Sequence, residues 1–432
     1  FSTLRETATA LGRRGAFDGA AAFSALTTDG HRAGAGGDEA IGITAARLRF
    51  GHGLSLALRN KVIHLEGGDP GPASHPYTDH WYDVWRDNAS LRFAYGRGGV
   101  RVSFTPYLNM GAHELYDGFR STDWVYGGIA ETELPLLETA DLLFGLAVEG
   151  VGGEVENRIS GERPSVRGLA DVALYEQATV RPFRALSVVL GSREMYSTTY
   201  GFVFLYKGGA RLALPAGLYV RSRVSKSFRQ PTLRELYLPY PVANPDLKPE
   251  RALTFDATFG HDSKHLGAEA TLYRTEAKNM IKYFGVWPSA EVVNIDHIVI
   301  FGAEAALRVT DLGPLGFLLS GDLQRVGRYT RQNPDAKIDF EVDLGRDFGR
   351  HFTGAALTGE WVHGLFMGDY SRDPIDDVFF LDLALRYRYT APRGATLEPY
   401  VFLKNLLDRR YEYLADTPMP GFNIMVGLKM GI

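Results

Sequence analysis

Val378-Phe379-Phe380-Leu381-Asp382-Leu383-Ala384-Leu385-Arg386-Tyr387-Arg388-Tyr389-Thr390 alternates along its length. Phe379, Leu381, Leu383, Leu385, Tyr387 and Tyr389 fall on one side, with Asp382, Ala384, Arg386 and Arg388 on the other. Successive residues of a strand point to opposite faces, so this segment reads as a strand that is apolar one way and charged the other. The same period returns in Leu253, Phe255, Ala257 and Phe259, opposed by Thr254, Asp256 and Thr258. It returns again in Leu54, Leu56 and Leu58, and at the end in Phe422, Ile424, Val426, Leu428, Met430 and Ile432. Helix-period segments of useful length are missing. The sequence predicts an all-β chain.

The connections carry a second rhythm. Short turns are expected near Gly12–Gly15, Gly51–Gly53, Gly96–Gly99, Leu134-Pro135-Leu136, Arg181-Pro182-Phe183 and Leu214–Gly217. Others follow near His261-Asp262-Ser263, Asp311–Pro314, Asp347-Phe348-Gly349 and Ala391–Gly394. Gly and Pro at these places are turn chemistry. Between them lie strand pairs joined by longer polar loops, for example near 67–80, 151–171, 229–249 and 366–376. Short and long connections in alternation are the plan of a transmembrane barrel, with tight turns at the periplasmic rim and long loops outside. A propeller would repeat every four strands, and no such block is visible. The tally is about 21 strands of about 10–14 residues, enough to cross a bilayer at a tilt near 45°.

Composition narrows the alternatives without choosing among them. No stretch of the 432 residues approaches the ~18–20 consecutive apolar residues of a spanning helix. That excludes a helical membrane protein and leaves a barrel untouched, because the two faces of its strands average out. The 49 glycines and 12% aromatic residues suit tight turns and interfacial girdles, and equally a glycine-rich soluble β protein. The absence of cysteine removes disulfides and thiolate metal sites. A net charge of −4 gives no footprint for nucleic acid.

Parity adds one expectation. If the last strand ends in the periplasm, the first runs inward from the cell surface, whereas bacterial barrels have even strand numbers and both termini inside. Phe1 is not an initiator Met and no signal peptide precedes it, so the chain is expected to be mature or incomplete and to begin one strand late.

Several segments resemble the TonB-dependent receptors. Phe228-Arg229-Gln230-Pro231-Thr232-Leu233-Arg234-Glu235-Leu236-Tyr237, followed by Asn244-Pro245-Asp246-Leu247-Lys248-Pro249-Glu250, is similar to that family's "FRxPTxxELY … NPxLKPE" signature on a long surface loop. Asp29-Gly30-His31-Arg32, Tyr175-Glu176-Gln177 with Gly191-Ser192-Arg193, and Tyr273-Arg274-Thr275-Glu276 with Asn279-Met280-Ile281 are further matches. Gly302-Ala303-Glu304, and Asn405-Leu406-Leu407-Asp408 with Tyr411 and Pro420-Gly421, close the series in the family's order. The resemblance implies a large antiparallel transmembrane β-barrel of the 22-stranded type over residues 1–432. Neither the family's N-terminal plug nor its TonB-contacting box is in the sequence. The terminal aromatic of the assembly signal is replaced by aliphatic spacing at Gly427, Met430 and Ile432. The expectation is therefore a barrel portion whose plug and first strand are absent, cleaved or on another chain.

No catalytic motif stands out. His113-Glu114 lacks the second His of a metalloprotease helix and reads as a surface-loop pair. There is no nucleophile elbow and no phosphate loop. Lumen-facing charges are the better candidates: Arg221, Arg223 and Arg229, in line with Tyr219 and Ser225, and Asp382, Arg386 and Arg388. Arg at the bilayer midplane costs about 2–4 kcal/mol, so these must point away from lipid. They either line a path for an anionic ligand or plug, or simply bond to water and each other in a wet wall; for any single residue the second reading is preferred. His75 and His80, with Tyr77, are weak candidates for holding a metal or haem, and Trp81, Tyr82 and Trp85 suit an interfacial girdle.

By resemblance, the function is uptake of a scarce bulky nutrient (siderophore, haem, cobalamin or another metal complex) across the bacterial outer membrane, driven by the TonB system through a plug. Outer-membrane lipid, lipopolysaccharide and a plug segment or separate plug chain are the implied partners; no resident cofactor, nucleic acid or enzymatic activity is implied. Long loops are expected outside, with short turns and the C-terminus in the periplasm. The alternatives are a plug-less passive pore or conduit housing another protein and, further off, an outer-membrane enzyme.

Overall fold

The computed structural model describes residues 1–164, 168–238, 242–285, 290–327, 333–369 and 373–432. Parts of the loops expected at 151–171, 229–249 and 366–376, namely 165–167, 239–241 and 370–372, lie outside the described residues. The strands are β1 (Thr3–Arg14), β2 (Phe17–Thr28), β3 (Gly37–Arg49), β4 (Leu54–Gly68), β5 (Trp81–Arg97), β6 (Val100–Leu115) and β7 (Phe119–Leu137). Next come β8 (Ala140–Asn157), β9 (Leu169–Phe183), β10 (Leu186–Ser197), β11 (Gly201–Ala213), β12 (Leu218–Arg229), β13 (Glu250–Asp262) and β14 (Leu266–Phe284). The last are β15 (Glu291–Leu312), β16 (Leu315–Arg325), β17 (Ala336–Phe348), β18 (His351–His363), β19 (Val378–Thr390), β20 (Thr396–Lys404) and β21 (Asn423–Gly431). A single α-helix among the described residues, α1 (Leu233–Tyr237), follows β12. The sequence tally of about 21 strands agrees with the 21 found among the described residues.

Chain contacts divide into two units. The first comprises Phe1–Gly209, Ser225–Leu253 and Ala277–His297; the second comprises Ala210–Val224, Thr254–Glu276 and Ile298–Ile432. In the first, β1 to β9 each pair antiparallel with the next strand in sequence. In the second, β15 to β20 do the same. Every such step is a hairpin, which two antiparallel strands allow and parallel strands do not.

Register turns the alternation of single strands into continuous faces. Leu385 stands opposite Ala355 on one side and Val401 on the other, while Arg386 stands opposite Gly354 and Tyr400. One face of each unit is thus apolar and largely exposed: Leu58, Phe93, Phe104, Leu146 and Leu174 in the first, Leu323, Ile338, Leu344 and Leu385 in the second. Contiguous apolar exposure on this scale is what a bilayer covers and water does not. The other face carries ion pairs such as Arg86–Asp123 in the first unit and Arg223–Asp256 in the second. Buried apolar clusters lie at the long-loop end, such as Leu169, Leu236, Leu247, Ile281 and Val292 in the first unit and Val362, Leu365, Ile375 and Val378 in the second.

Four expectations are corrected. Arg181-Pro182-Phe183 is not a turn: β9 runs on to Phe183, and the turn falls at 184–185. Leu134-Pro135-Leu136 is not a turn: β7 runs on to Leu137, with a register shift between Pro135 and Leu137, and the turn falls at 138–139. Pro135 lies beyond Arg101–Glu133, the last pair of β6 with β7, so its missing N–H forfeits no bond to β6. The long-loop rim also carries two brief connections, 116–118 and 198–200, so the short–long order is not strict in length. His113-Glu114 is no loop pair; both lie in β6, where alternation sends them to opposite faces.

Candidate functional site

The signature segment explains itself once its contacts are drawn. Thr232 caps α1 by accepting from the Glu235 amide at 3.2 Å, and the Glu235 carboxylate accepts from the Thr232 amide at 2.7 Å. This reciprocal box satisfies two amides that a helix start leaves orphaned. Arg229, the last residue of β12, then binds Glu250 at 2.6 and 2.8 Å and Glu235 at 3.1 Å, so one guanidinium ties β12, α1 and β13 together. Glu250 also accepts from the Ile281 amide at 2.8 Å. Asn244 donates to Val292 O at 3.0 Å, and its own amide donates to Glu235 O at 2.8 Å.

Leu236 and Leu247 are 1% and 2% exposed in the first unit's core, and Pro231 is fully buried. Phe228 packs on Ala173, Met195 and Val203. Pro249 O accepts from the Asn279 side chain at 3.5 Å, and Pro245 lies between Asn244 and Asp246, whose amide closes onto Asn244 Oδ1 at 3.0 Å. Nearby, the Tyr200 hydroxyl donates to Leu247 O at 3.2 Å; burial, helped by Tyr237 and Glu235, pushes it up to about 12. The signature is the anchor of a loop.

What the anchored loop does is cover a cavity of about 760 Å³ on the polar face of the first unit. Its apolar lining includes Leu115, Phe119, Val151, Leu169 and Leu233, and its polar lining Arg86, His113, Asp123, Gln230 and Arg234. Arg86 on β5 reaches across β6 to Asp123 on β7, at 2.5 and 2.7 Å to the two oxygens. It can do so because Gly111 stands between them in register, and a Cβ there would collide with the guanidinium. Arg234 on α1 has no ion pair or side-chain hydrogen bond among the described residues. The lining thus carries two cations, Arg86 paired with Asp123 and Arg234 uncommitted among the described residues, together with the carboxylates of Asp117 and Glu154.

The lumen candidates are on the polar face, each engaged locally. Arg223 binds both Asp256 oxygens at 3.0 Å, and Arg221 lies 3.2 Å from Thr258 Oγ1 and 3.9 Å from Glu269. Asp382 accepts from the Asn405 amide at 2.8 Å, which fixes the Asn-Leu-Leu-Asp segment to β19. Arg386 and Arg388 both lie over the Phe352 ring, at 5.2 and 5.0 Å, with Glu398 3.9 Å from Arg388. His80 is stacked between Tyr77 and Tyr116, at 3.9 and 3.6 Å between ring centres, whereas His75 is exposed beside Ser74. Trp81 and Trp85 are exposed on the apolar face, and Tyr82, between them in parity, points the other way. Sequence reasoning missed Arg86, His113, Asp123 and Arg234 as a group; only the Arg86–Gly111–Asp123 register brings them under α1.

A family model described as "TonB dependent receptor-like, beta-barrel" matches residues 6–414. The chain belongs to that family. No curated protein matches it by sequence. Among solved structures it is similar to the siderophore receptor PirA from Pseudomonas aeruginosa, with 15% identity, 100% of this chain and 77% of that one covered, and a TM-score of 0.76. It is also similar to the FrpB iron transporter from Neisseria meningitidis (13% identity, 98% and 78% covered, TM-score 0.77). The ferric yersiniabactin uptake receptor FyuA from Yersinia pestis is a third (14%, 99% and 77%, 0.74). At such identities the likeness speaks for the fold, a large antiparallel outer-membrane β-barrel of Gram-negative type, and these neighbours are receptors and transporters rather than enzymes.

Proposed function

We propose that this chain is the barrel of an outer-membrane receptor that takes up a bulky metal complex of the siderophore, haem or cobalamin kind. The observation that carries the reading is the cavity under α1: about 760 Å³, lined by apolar side chains and by a few charged ones, with Arg234 uncommitted among the described residues. That volume lies within the ~300–1,000 Å³ range of small-molecule sites, and a few placed polar groups over an apolar lining give orientation. The arrangement suits a ligand with an extended apolar or aromatic body and a polar periphery that meets both the Arg234 cation and the Asp117 and Glu154 carboxylates. The long-loop rim, which holds the cavity, faces the outside; the short turns and C-terminus face the periplasm. A plug, in the same polypeptide or a separate one, would close the channel and carry the contact to TonB, and outer-membrane lipid with lipopolysaccharide surrounds the apolar face.

The test is uptake of a panel of ferric siderophores, haem and cobalamin by cells expressing the full-length gene, with and without TonB. The expected result is saturable, TonB-dependent uptake of one ligand class, weakened by Arg234→Ala. Uptake that ignores TonB, together with large steady conductance of the purified protein in planar bilayers, would instead favour the plug-less pore.

A further inference from the structure

On the apolar face of the first unit, toward its long-loop end, three metal-competent side chains from two strands converge. His64 and Glu66 alternate on β4, and Asp83 on β5 stands directly opposite Glu66. Their donor atoms all lie within 4.8 Å of one another. His64 Nε2 is 3.1 Å from Asp83 Oδ1, and the imidazole is stacked on Trp85 with centroids 4.3 Å apart and planes 18° from parallel. The stack holds the ring plane that ligation needs. Glu66 has no hydrogen bond or ion pair among the described residues.

The surroundings are acidic as well. Asp38 on β3 is the partner of Glu66 on its other side, Glu6 lines the same groove, and no Lys or Arg does. Carboxylates gathered without a cation repel one another, and a divalent ion is the species that relieves this at a single point.

We propose that His64, Glu66 and Asp83 form a binding site for a first-row divalent ion of the Zn²⁺ kind, linking β4 to β5. One imidazole nitrogen and two carboxylate oxygens are the donor set such ions accept, whereas Ca²⁺ and Mg²⁺ favour oxygen alone. Donors about 2.0–2.2 Å from a tetrahedral ion are roughly 3.4 Å apart, so closure asks for a small rotation of the exposed Glu66 chain. Three protein donors leave a fourth position for water or an external anion. The site is separate from the cavity under α1, because Arg86 and Asp83 differ in strand parity and point to opposite faces of β5. It therefore stands or falls independently of the uptake reading.

The experiment is calorimetric titration of the full chain in detergent micelles, stripped with chelator, using Zn²⁺ alone. One saturable site is expected, undisturbed by excess Mg²⁺ or Ca²⁺ and weakened about tenfold or more by His64→Ala or Glu66→Gln. Cu²⁺ should quench fluorescence in wild type, with the quenching reduced in Trp85→Phe. The double variant His75→Ala/His80→Ala must bind as wild type does. Each variant is first checked for strand content by circular dichroism. No saturable Zn²⁺ site, equal binding by folded His64→Ala, loss in the His75/His80 variant, or displacement by Ca²⁺ would each overturn the proposal.

Discussion

Removing the Arg229 side chain should release α1 from the wall while leaving the strands intact. Arg229 makes charge-assisted bonds to Glu250 at 2.6 and 2.8 Å and to Glu235 at 3.1 Å. Such bonds contribute about 1.5–3 kcal/mol each when well shielded. The Glu235 and Glu250 side chains are 11% and 19% exposed, but Arg229 is 43% exposed, so water screens part of the interaction. Counted once per carboxylate and discounted by about half, these bonds leave roughly 1.5–3 kcal/mol for Arg229→Ala. At about 1.4 kcal/mol per tenfold, local opening becomes roughly 10- to 150-fold more frequent.

Hydrogen exchange reads this directly at the amides of Leu236, Leu238 and Asn244, which donate to Thr232, Arg234 and Glu235 carbonyls at 3.0, 3.2 and 2.8 Å. Arg101→Ala is the control. Its pair with Glu133 is 72% and 41% exposed, so it should leave those amides alone. Arg229→Lys should restore only part of the protection, since an ammonium cannot span both carboxylates with a planar fork. Protection in Arg229→Ala within about threefold of wild type would refute the anchor, because a shift that small is under about 0.7 kcal/mol.

Other perturbations probe other levels of the structure. Gly145→Ala would drive a Cβ into the Tyr175 ring, which lies across it from β9, and should cost about 1–3 kcal/mol in urea unfolding from micelles. Leu385→Arg, near the middle of β19 on the apolar face, should lower refolding stability in lipid vesicles by about 2–4 kcal/mol. Ala384→Arg, one residue away on the polar face, should cost far less; equal losses would mean the faces are wrongly assigned. The raised Tyr200 hydroxyl gives a pH signature of definite sign. Its contribution to stability is complete below the unfolded value near 10 and is lost as pH rises from there towards about 12, since the unfolded phenol ionises first. A 295 nm titration should show one late-ionising phenol disappear in Tyr200→Phe.

The alternation of Val378–Thr390 was enough to place Asp382, Arg386 and Arg388 on one face and the leucines on the other, because side-chain direction in a strand depends only on parity. Gly51–Gly53 and Pro215–Gly217 were legible as tight turns for the same local reason: His52 and Ala216 adopt φ of 62° and 58° beside glycines that favour such geometry. Leu134–Leu136 misled because proline at a strand end looks like proline in a turn.

Partnership was not legible. Arg86, Gly111 and Asp123 are adjacent only because β5, β6 and β7 pair in one particular register. His64, Glu66 and Asp83 meet only through the register of β4 with β5. The sequence alone determined which residues face the same way, how the strands follow one another, and to which family the signature loop is similar. The tertiary structure decided which charges neutralise each other, that the signature anchors a lid over a cavity, and that Arg234 is left uncommitted. Parity is a property of neighbours in the chain, whereas contact is a property of strand registers and loop paths, which many distant residues set together.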